Sequence, residues 1–407
     1  MDFALFSQLD AMLLHVALLL AVAAKFRPKQ SGEASHFQQR LNWNCYSQQH
    51  ARQGTFHVRL RMSKVSFDNL LELLRADLAT NEEQASNRGG SIIPEVCLCC
   101  TLRWLAGGSH LDIVDIAGIS KPSFYRILWK TMLAICKCDK LDVVFPQTGE
   151  QVNEACRGFA SISWQEATVV DGFLFRIATP PKATAGNVRS FFSGHYQCYG
   201  VNIQAAVDHH SRFTHISFAA PGVTQDRIAI QRCSLSKLIE QLPIGVCSIG
   251  DAAYDPTEHM VPVYYGVDRK TPMFNNFNYY ASQLRIRVEM AFGLMTRKWG
   301  VLQRPCTANL ANASLMIQAI ARLHNYVTTE RLKANGGLDD EDTLRRRGYS
   351  YLPSIPEDEN GDPIRLDAIF NGSFAGHSEL RQRMAQRVQS LQLTRPAANK
   401  LKKQGTT

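Results

Sequence analysis

The sequence predicts an α/β fold, a mixed five-stranded sheet with flanking helices, preceded by an all-α region. Three observations carry that expectation. Up to residue 139, apolar residues recur at helical spacing between Ser and Gly punctuation. From 167 to 218 the spacing switches to the alternation of strands. Beyond that, helical stripes flank one short apolar run, the pattern of helices layered on a sheet.

Residues 11–24 are an apolar run containing His15, too short to span a bilayer, which needs about 20 residues. A signal-peptide core and a helix packed on the body both fit it. Asp2 and Asp10, where a signal would carry basic residues, favour the packed helix. Residues 25–54 are polar and read as linker. From Ser66, a plausible N-cap, Phe67, Leu70, Leu71, Leu73, Leu74 and Leu78 mark a helix, and 81–90 a loop.

Three helices then follow closely. The first, 94–106, ends at Gly107-Gly108. Ser109 caps the second, which stops at Gly118, and Ser120 caps the third, with Pro122 in its first turn. Two such helices joined by a tight Gly turn form a helix-turn-helix. Its second helix would bring Lys121, Ser123, Tyr125 and Arg126 to base edges. A small helical bundle that touches nothing fits the same spacing.

Residues 140–165 connect. Strands are expected at 167–178, with Asp171 inside, at 199–207 and, after the turn 208–211, at 213–218. Asp226 opens an amphipathic helix through Ile239. The run 245–249 is a buried strand that stops at Gly250 and delivers Asp251. A long helix, 279–299, carries the stripe Val288, Ala291, Phe292, Met295 and Trp299, and another helix covers 310–332. The rest is charged and rich in Pro and Gly, a largely disordered tail with one helix at 378–391 and a basic end at Lys400, Lys402 and Lys403. The organisation expected is an N-terminal helix and linker (1–60), a helix-turn-helix-like domain (61–140), a catalytic sheet domain (160–333) and the tail (334–407).

A chain of 407 residues has room for two or three domains, and 45% hydrophobic with 20% charged residues is an ordinary globular composition. The net charge of +9 favours a polyanionic partner, nucleic acid or an acidic membrane. Eleven cysteines, an odd number without zinc-finger spacing, read as reduced thiols rather than a disulfide framework.

Three elements place a carboxylate where structure alone does not ask for one: Asp171 inside a strand, Asp251 at the end of another, Glu289 beside a buried helical stripe. Strand–strand–strand–helix–strand–helix is the order of a ribonuclease-H-like fold, in which such positions converge. Clustered carboxylates repel and raise each other's pKa unless a cation joins them. Hard divalent ions such as Mg²⁺ or Mn²⁺ take oxygen ligands and keep several waters, so a few carboxylates suffice.

The motifs Val-Val-Asp-Gly around Asp171, Pro-Gly-Val-Thr-Gln-Asp ending at Asp226, Gly-Asp-Ala-Ala-Tyr from Gly250, and Arg-Ile-Arg-Val-Glu-Met-Ala-Phe-Gly from Arg285 resemble the DDE domain of PIF/Harbinger-type transposases and their domesticated nuclease relatives. Leu323-His324-Asn325 is similar to the signature closing that domain. The helix-turn-helix sequence upstream also resembles the family's. The resemblance covers roughly residues 95 to 330. It implies Asp171, Asp251 and Glu289 as a catalytic metal-binding triad, Asp226 as a fourth oxygen ligand, and Mg²⁺ or Mn²⁺ as cofactor. Val223 and Gln225 depart from the family's usual residues in the loop before Asp226, which itself also suits an N-cap. Arg285, Arg287, Arg297 and Lys298 are candidate phosphate contacts, or a solvated helix face. The function implied is a metal-dependent DNA endonuclease or transposase, a hydrolase acting on phosphodiester bonds at transposon ends in the nucleus. A Myb-like DNA-binding partner is implied with it; the oligomeric state stays open, and no membrane is involved. The alternative is a domesticated, catalytically silent DNA-binding or interaction protein on the same fold.

Overall fold

Serine caps and glycine stops set the helix boundaries in the computed structural model, which describes residues 39–80, 91–160, 166–266, 268–334 and 379–396. The apolar run 11–24, the 81–90 loop, most of the C-terminal tail and its basic end lie outside the described residues. In chain order come helices α1 (Trp43–Arg52), α2 (Phe56–Leu60), α3 (Lys64–Leu78), α4 (Pro94–Leu105), α5 (His110–Ala117), α6 (Lys121–Lys137) and α7 (Gly149–Ala160). Strands β1 (Glu166–Arg176), β2 (Phe192–Ser193), β3 (Cys198–Val207) and β4 (Phe213–Pro221) follow. Then come α8 (Asp226–Gln231), α9 (Ser234–Glu240), β5 (Cys247–Gly250), β6 (Met260–Pro262), α10 (Pro272–Lys298), α11 (Leu310–Ala334) and α12 (Glu379–Ser390).

The chain forms two compact units. The first comprises Met1–Asp142, Arg176–Pro180 and Leu294–Glu330. Its caps work as their chemistry requires: the hydroxyls of Ser63, Ser109 and Ser120 accept the backbone N–H groups of Ser66, Leu111 and Ser123. The α3 cap is therefore Ser63, one turn before Ser66. Gly118 ends α5 with φ +61°, and a Cβ there would lie 2.1 Å from the Gln39 carbonyl oxygen, so glycine alone fits. The polar stretch read as linker is in part helical. Trp43, Tyr46 and His50 line one buried face of α1, and Trp43 stacks on Phe67 with ring centroids 4.9 Å apart. Polar composition hid four buried residues at helical spacing, Ser47 among them. In α11, Met316, Ile320 and Leu323 are fully buried, and the Tyr326 hydroxyl donates to the Ser66 carbonyl at 2.6 Å.

The second unit comprises Val143–Phe175, Pro181–Gly293 and Arg331–Thr407. Its sheet runs β3–β1–β5–β6, with β4 and the short β2 both on β3. β3 and β4 are antiparallel, whereas β1, β5 and β6 are parallel. This is the expected mixed sheet, with β2 and β6 beyond the four strands whose ranges the sequence predicted. On one face Val170, Ala206 and Ala219 pack with Val152, Cys156, Ile230, Leu235 and Ile239 from the helices. Phe292 of α10 stacks on Phe173 at 5.0 Å and lies 5.8 Å from Phe213. The segment expected to connect contains α7, and the single helix expected from Asp226 is two, α8 and α9, broken between Gln231 and Ser234. At α12, Arg381 lies over the Tyr264 ring, 4.2 Å from its centroid. Among the described residues no helix is long and apolar enough to cross a membrane.

His209 and His215 are half-buried, each with one buried ring nitrogen lacking a hydrogen-bond partner, and desolvation pushes both down to about 4. Their folded pKa lies below the unfolded value, so the stability they support is complete above the unfolded pKa, near 6.5, and is lost as pH falls toward the folded one. His215→Gln is expected to shrink the stability lost between roughly pH 7 and 5 by about 2 kcal/mol. Urea melts at the two pH values measure it; an unchanged difference would contradict the assignment.

Candidate active site: three aspartates, a glutamate and one arginine

Parallel pairing of β1 with β5 sets the site. Val169 lies opposite Ile249; two residues further on, Asp171 sits inside β1, which continues to Arg176, and Asp251 comes just after β5 ends at Gly250. The apolar residues before each carboxylate, Val169, Val170 and Ile249, are fully buried, so the strands are fixed, with Asp171 carried within β1 and Asp251 delivered where β5 stops. Asp251 closes its own turn, accepting the Ala253 N–H at 2.9 Å. Asp171 is held by the Gly172 N–H at 2.8 Å and by Arg285 Nη2 at 3.3 Å. Burial pushes its carboxyl up to about 6; Arg285 and the Gly172 N–H pull it down, and Asp251 and Asp226 push it up further. The three aspartates thus lie within range of each other's charge.

Asp226 is not an N-cap. Gln225 occupies that position, and Asp226 Oδ1 instead accepts Asn202 Nδ2 at 2.8 Å and Gln204 Nε2 at 2.9 Å. Gly172 makes this possible: a Cβ there would lie 2.2 Å from Asp226 Oδ1. Gln204, fully buried, also donates to Asn202 Oδ1 at 2.8 Å and accepts the Tyr254 hydroxyl at 2.8 Å. Glu289 lies one turn after Arg285 on α10, its side chain 56% exposed, with Oε1 3.5 Å from Arg285 Nη2. Arg285 thus joins Glu289 to Asp171.

The other expected residues fall elsewhere. Lys121 and Arg126 are exposed and Ser123 and Tyr125 half-buried on the first two turns of α6, in the first unit. Arg297 and Lys298 end α10 and belong to that unit too.

Sequence reasoning passed over Asn202, Gln204, Tyr254 and Tyr196. The first two had a signal, being amides inside a strand that is otherwise apolar, where a buried polar group needs a partner. Tyr196, 60% exposed in the turn between β2 and β3, has its phenol pushed up by partial burial and by the charges of Asp226 and Asp171. It therefore sits near the carboxylates.

The donor set is all carboxylate oxygen at its centre, excess negative charge with one aspartate already disfavoured as an anion. That chemistry suits a hard divalent cation and does not suit a soft one. Asp171, Asp251 and Glu289, with Asp226 beside them, are the residues that would hold it. Among the described residues, no three acidic, His or Cys side chains are yet gathered closely enough to do so.

Residues 170–325 match the DDE superfamily endonuclease family, a match that implies the ribonuclease-H-like fold. The chain is also similar to Protein ALP1-like of Arabidopsis thaliana, 20% identical over 317 residues that make up 73% of this chain and 75% of that protein. No solved structure matches it.

Proposed function

We propose that this protein is a divalent-metal-dependent DNA endonuclease of the PIF/Harbinger transposase type. The observation that supports the reading is the parallel β1–β5 pairing, with Asp171 two residues beyond Val169 in β1 and Asp251 just after β5, both inside the DDE-matching segment and within range of each other's charge. A bound Mg²⁺ or Mn²⁺ would supply Lewis acidity toward the phosphate and ease deprotonation of an attacking water. Asp171, Asp251 and Glu289 would hold the ion. Asp226, fixed by Asn202 and Gln204, keeps a carboxylate at the edge of the site without needing to move. Arg285, Arg297 and Lys298 offer positive charge to phosphate oxygens, and Lys121, Ser123, Tyr125 and Arg126 to a duplex at α6. This activity belongs in the nucleus, with a Myb-like protein supplying site recognition.

Purified protein incubated with supercoiled plasmid and Mn²⁺ or Mg²⁺ is expected to nick or linearise it, and EDTA to abolish the reaction. A protein inert alone is to be retested with the Myb-like partner. Cleavage that survives EDTA would overturn the metal-dependent reading. A second reading is a catalytically silent DNA-binding protein on the same fold. Binding without cleavage under every metal condition would select it.

A further inference from the structure

Arg285 stands in an unusual position for an arginine. A single nitrogen, Nη2, faces two carboxylates on different elements, Asp171 at 3.3 Å and Glu289 at 3.5 Å. Both distances are long for charge-assisted hydrogen bonds, which run near 2.7–2.9 Å. Elsewhere this chain reaches that range: Arg212 meets Asp208 at 2.7 Å, and Arg322 meets Asp142 at 2.7 Å. The fork of Arg285 is not matched to either partner, and its Nε is buried with no hydrogen-bond partner. A guanidinium selected for a permanent structural pair would have its donors satisfied. This one is close enough to offset charge and too loosely bound to be fixed.

We propose that Arg285 is a resident counter-cation, occupying the space between Asp171 and Glu289 until a divalent ion displaces it. The proposal rests on the metal-binding reading above. The side chain is only 17% exposed, as is that of Asp171, so without the arginine the aspartate would face Asp251 and Asp226 with its Gly172 N–H alone in support. The guanidinium therefore keeps the metal-free site folded. The same charge opposes an incoming cation and must swing out before Asp171 and Glu289 can close on it. Glu289, already half in solvent, is the partner that lets go most readily. Once displaced, the arginine stays tethered one turn from Glu289, placed for a phosphate oxygen of the substrate.

Titration calorimetry with MnCl₂ on the full chain, without DNA and at mildly alkaline pH, tests this. Arg285→Gln is expected to bind Mn²⁺ about tenfold more tightly than wild type, because a positive charge has left the site. Arg285→Lys, still cationic, is expected to stay within about threefold of wild type. Equal or weaker binding by Arg285→Gln overturns the counter-cation role while leaving the metal site standing. Absence of Mn²⁺ binding in wild type and variant, or binding unaffected by Asp251→Asn, overturns the metal-site reading and this proposal with it. If Arg285→Gln is unfolded without metal, recovery of a cooperative melt with Mn²⁺ but not K⁺ supports the proposal, and no recovery contradicts it.

Discussion

Asp251→Asn is expected to lower metal-dependent DNA cleavage by about a thousandfold or more, while changing stability by no more than about 1 kcal/mol. The substitution is isosteric and keeps the oxygen that accepts the Ala253 N–H, so the turn after β5 should survive. It also removes a negative charge that disfavours ionisation of Asp171, so nothing in the metal-free fold is lost. What it removes is a charged oxygen donor at the strand end opposite Asp171. Plasmid nicking rates with Mn²⁺, alongside urea melts, read both effects. Full activity in the variant would sink the assignment, and loss of the folded state would show that Asp251 is structural.

Gln204→Leu is expected to destabilise the second unit by about 3 kcal/mol. Leucine has nearly the same volume, so packing is little altered, but three hydrogen bonds of 2.8–2.9 Å disappear from a fully buried position. The Tyr254 hydroxyl, itself only 3% exposed by residue, is left without its acceptor, and Asp226 keeps only the donors from Asn202. The loss divides in a way that can be measured. Adding Tyr254→Phe to Gln204→Leu removes the orphaned hydroxyl and should restore about 1–2 kcal/mol. A double variant as unstable as the sum of the two singles would mean that the phenol and amide are not coupled.

Most of the sheet was legible because burial leaves a periodic trace. The alternation around Asp171, the short run into Asp251 and the stripe Val288, Ala291, Phe292, Met295 and Trp299 all predicted elements that exist, with every stripe residue buried. Helices α1 and α7 were not legible, because each buries only a narrow line of residues within a polar sequence. β2 and β6 were too short for any period to appear. At the site, the acids stood out as charges placed in apolar surroundings, but their companions did not. Asn202 and Gln204 acquire their role only through the fold, which brings Asp226 against Gly172 and onto both amides. The role of Asp226 was likewise hidden, since an acid at a helix start looks like a cap whether or not it caps. Arg285 was noticed as basic charge near Glu289; that it also reaches Asp171, 114 residues earlier in the chain, is a tertiary fact no local pattern carries.

The central claim is that Asp171, Asp251 and Glu289 share a divalent cation. Anomalous diffraction from crystals of the protein soaked in Mn²⁺ tests it most directly. The expected result is a manganese peak bounded by carboxylate oxygens of all three residues, with the Arg285 guanidinium moved away from Asp171. A manganese peak elsewhere, or none at these carboxylates with Arg285 still bridging Asp171 and Glu289, would contradict it.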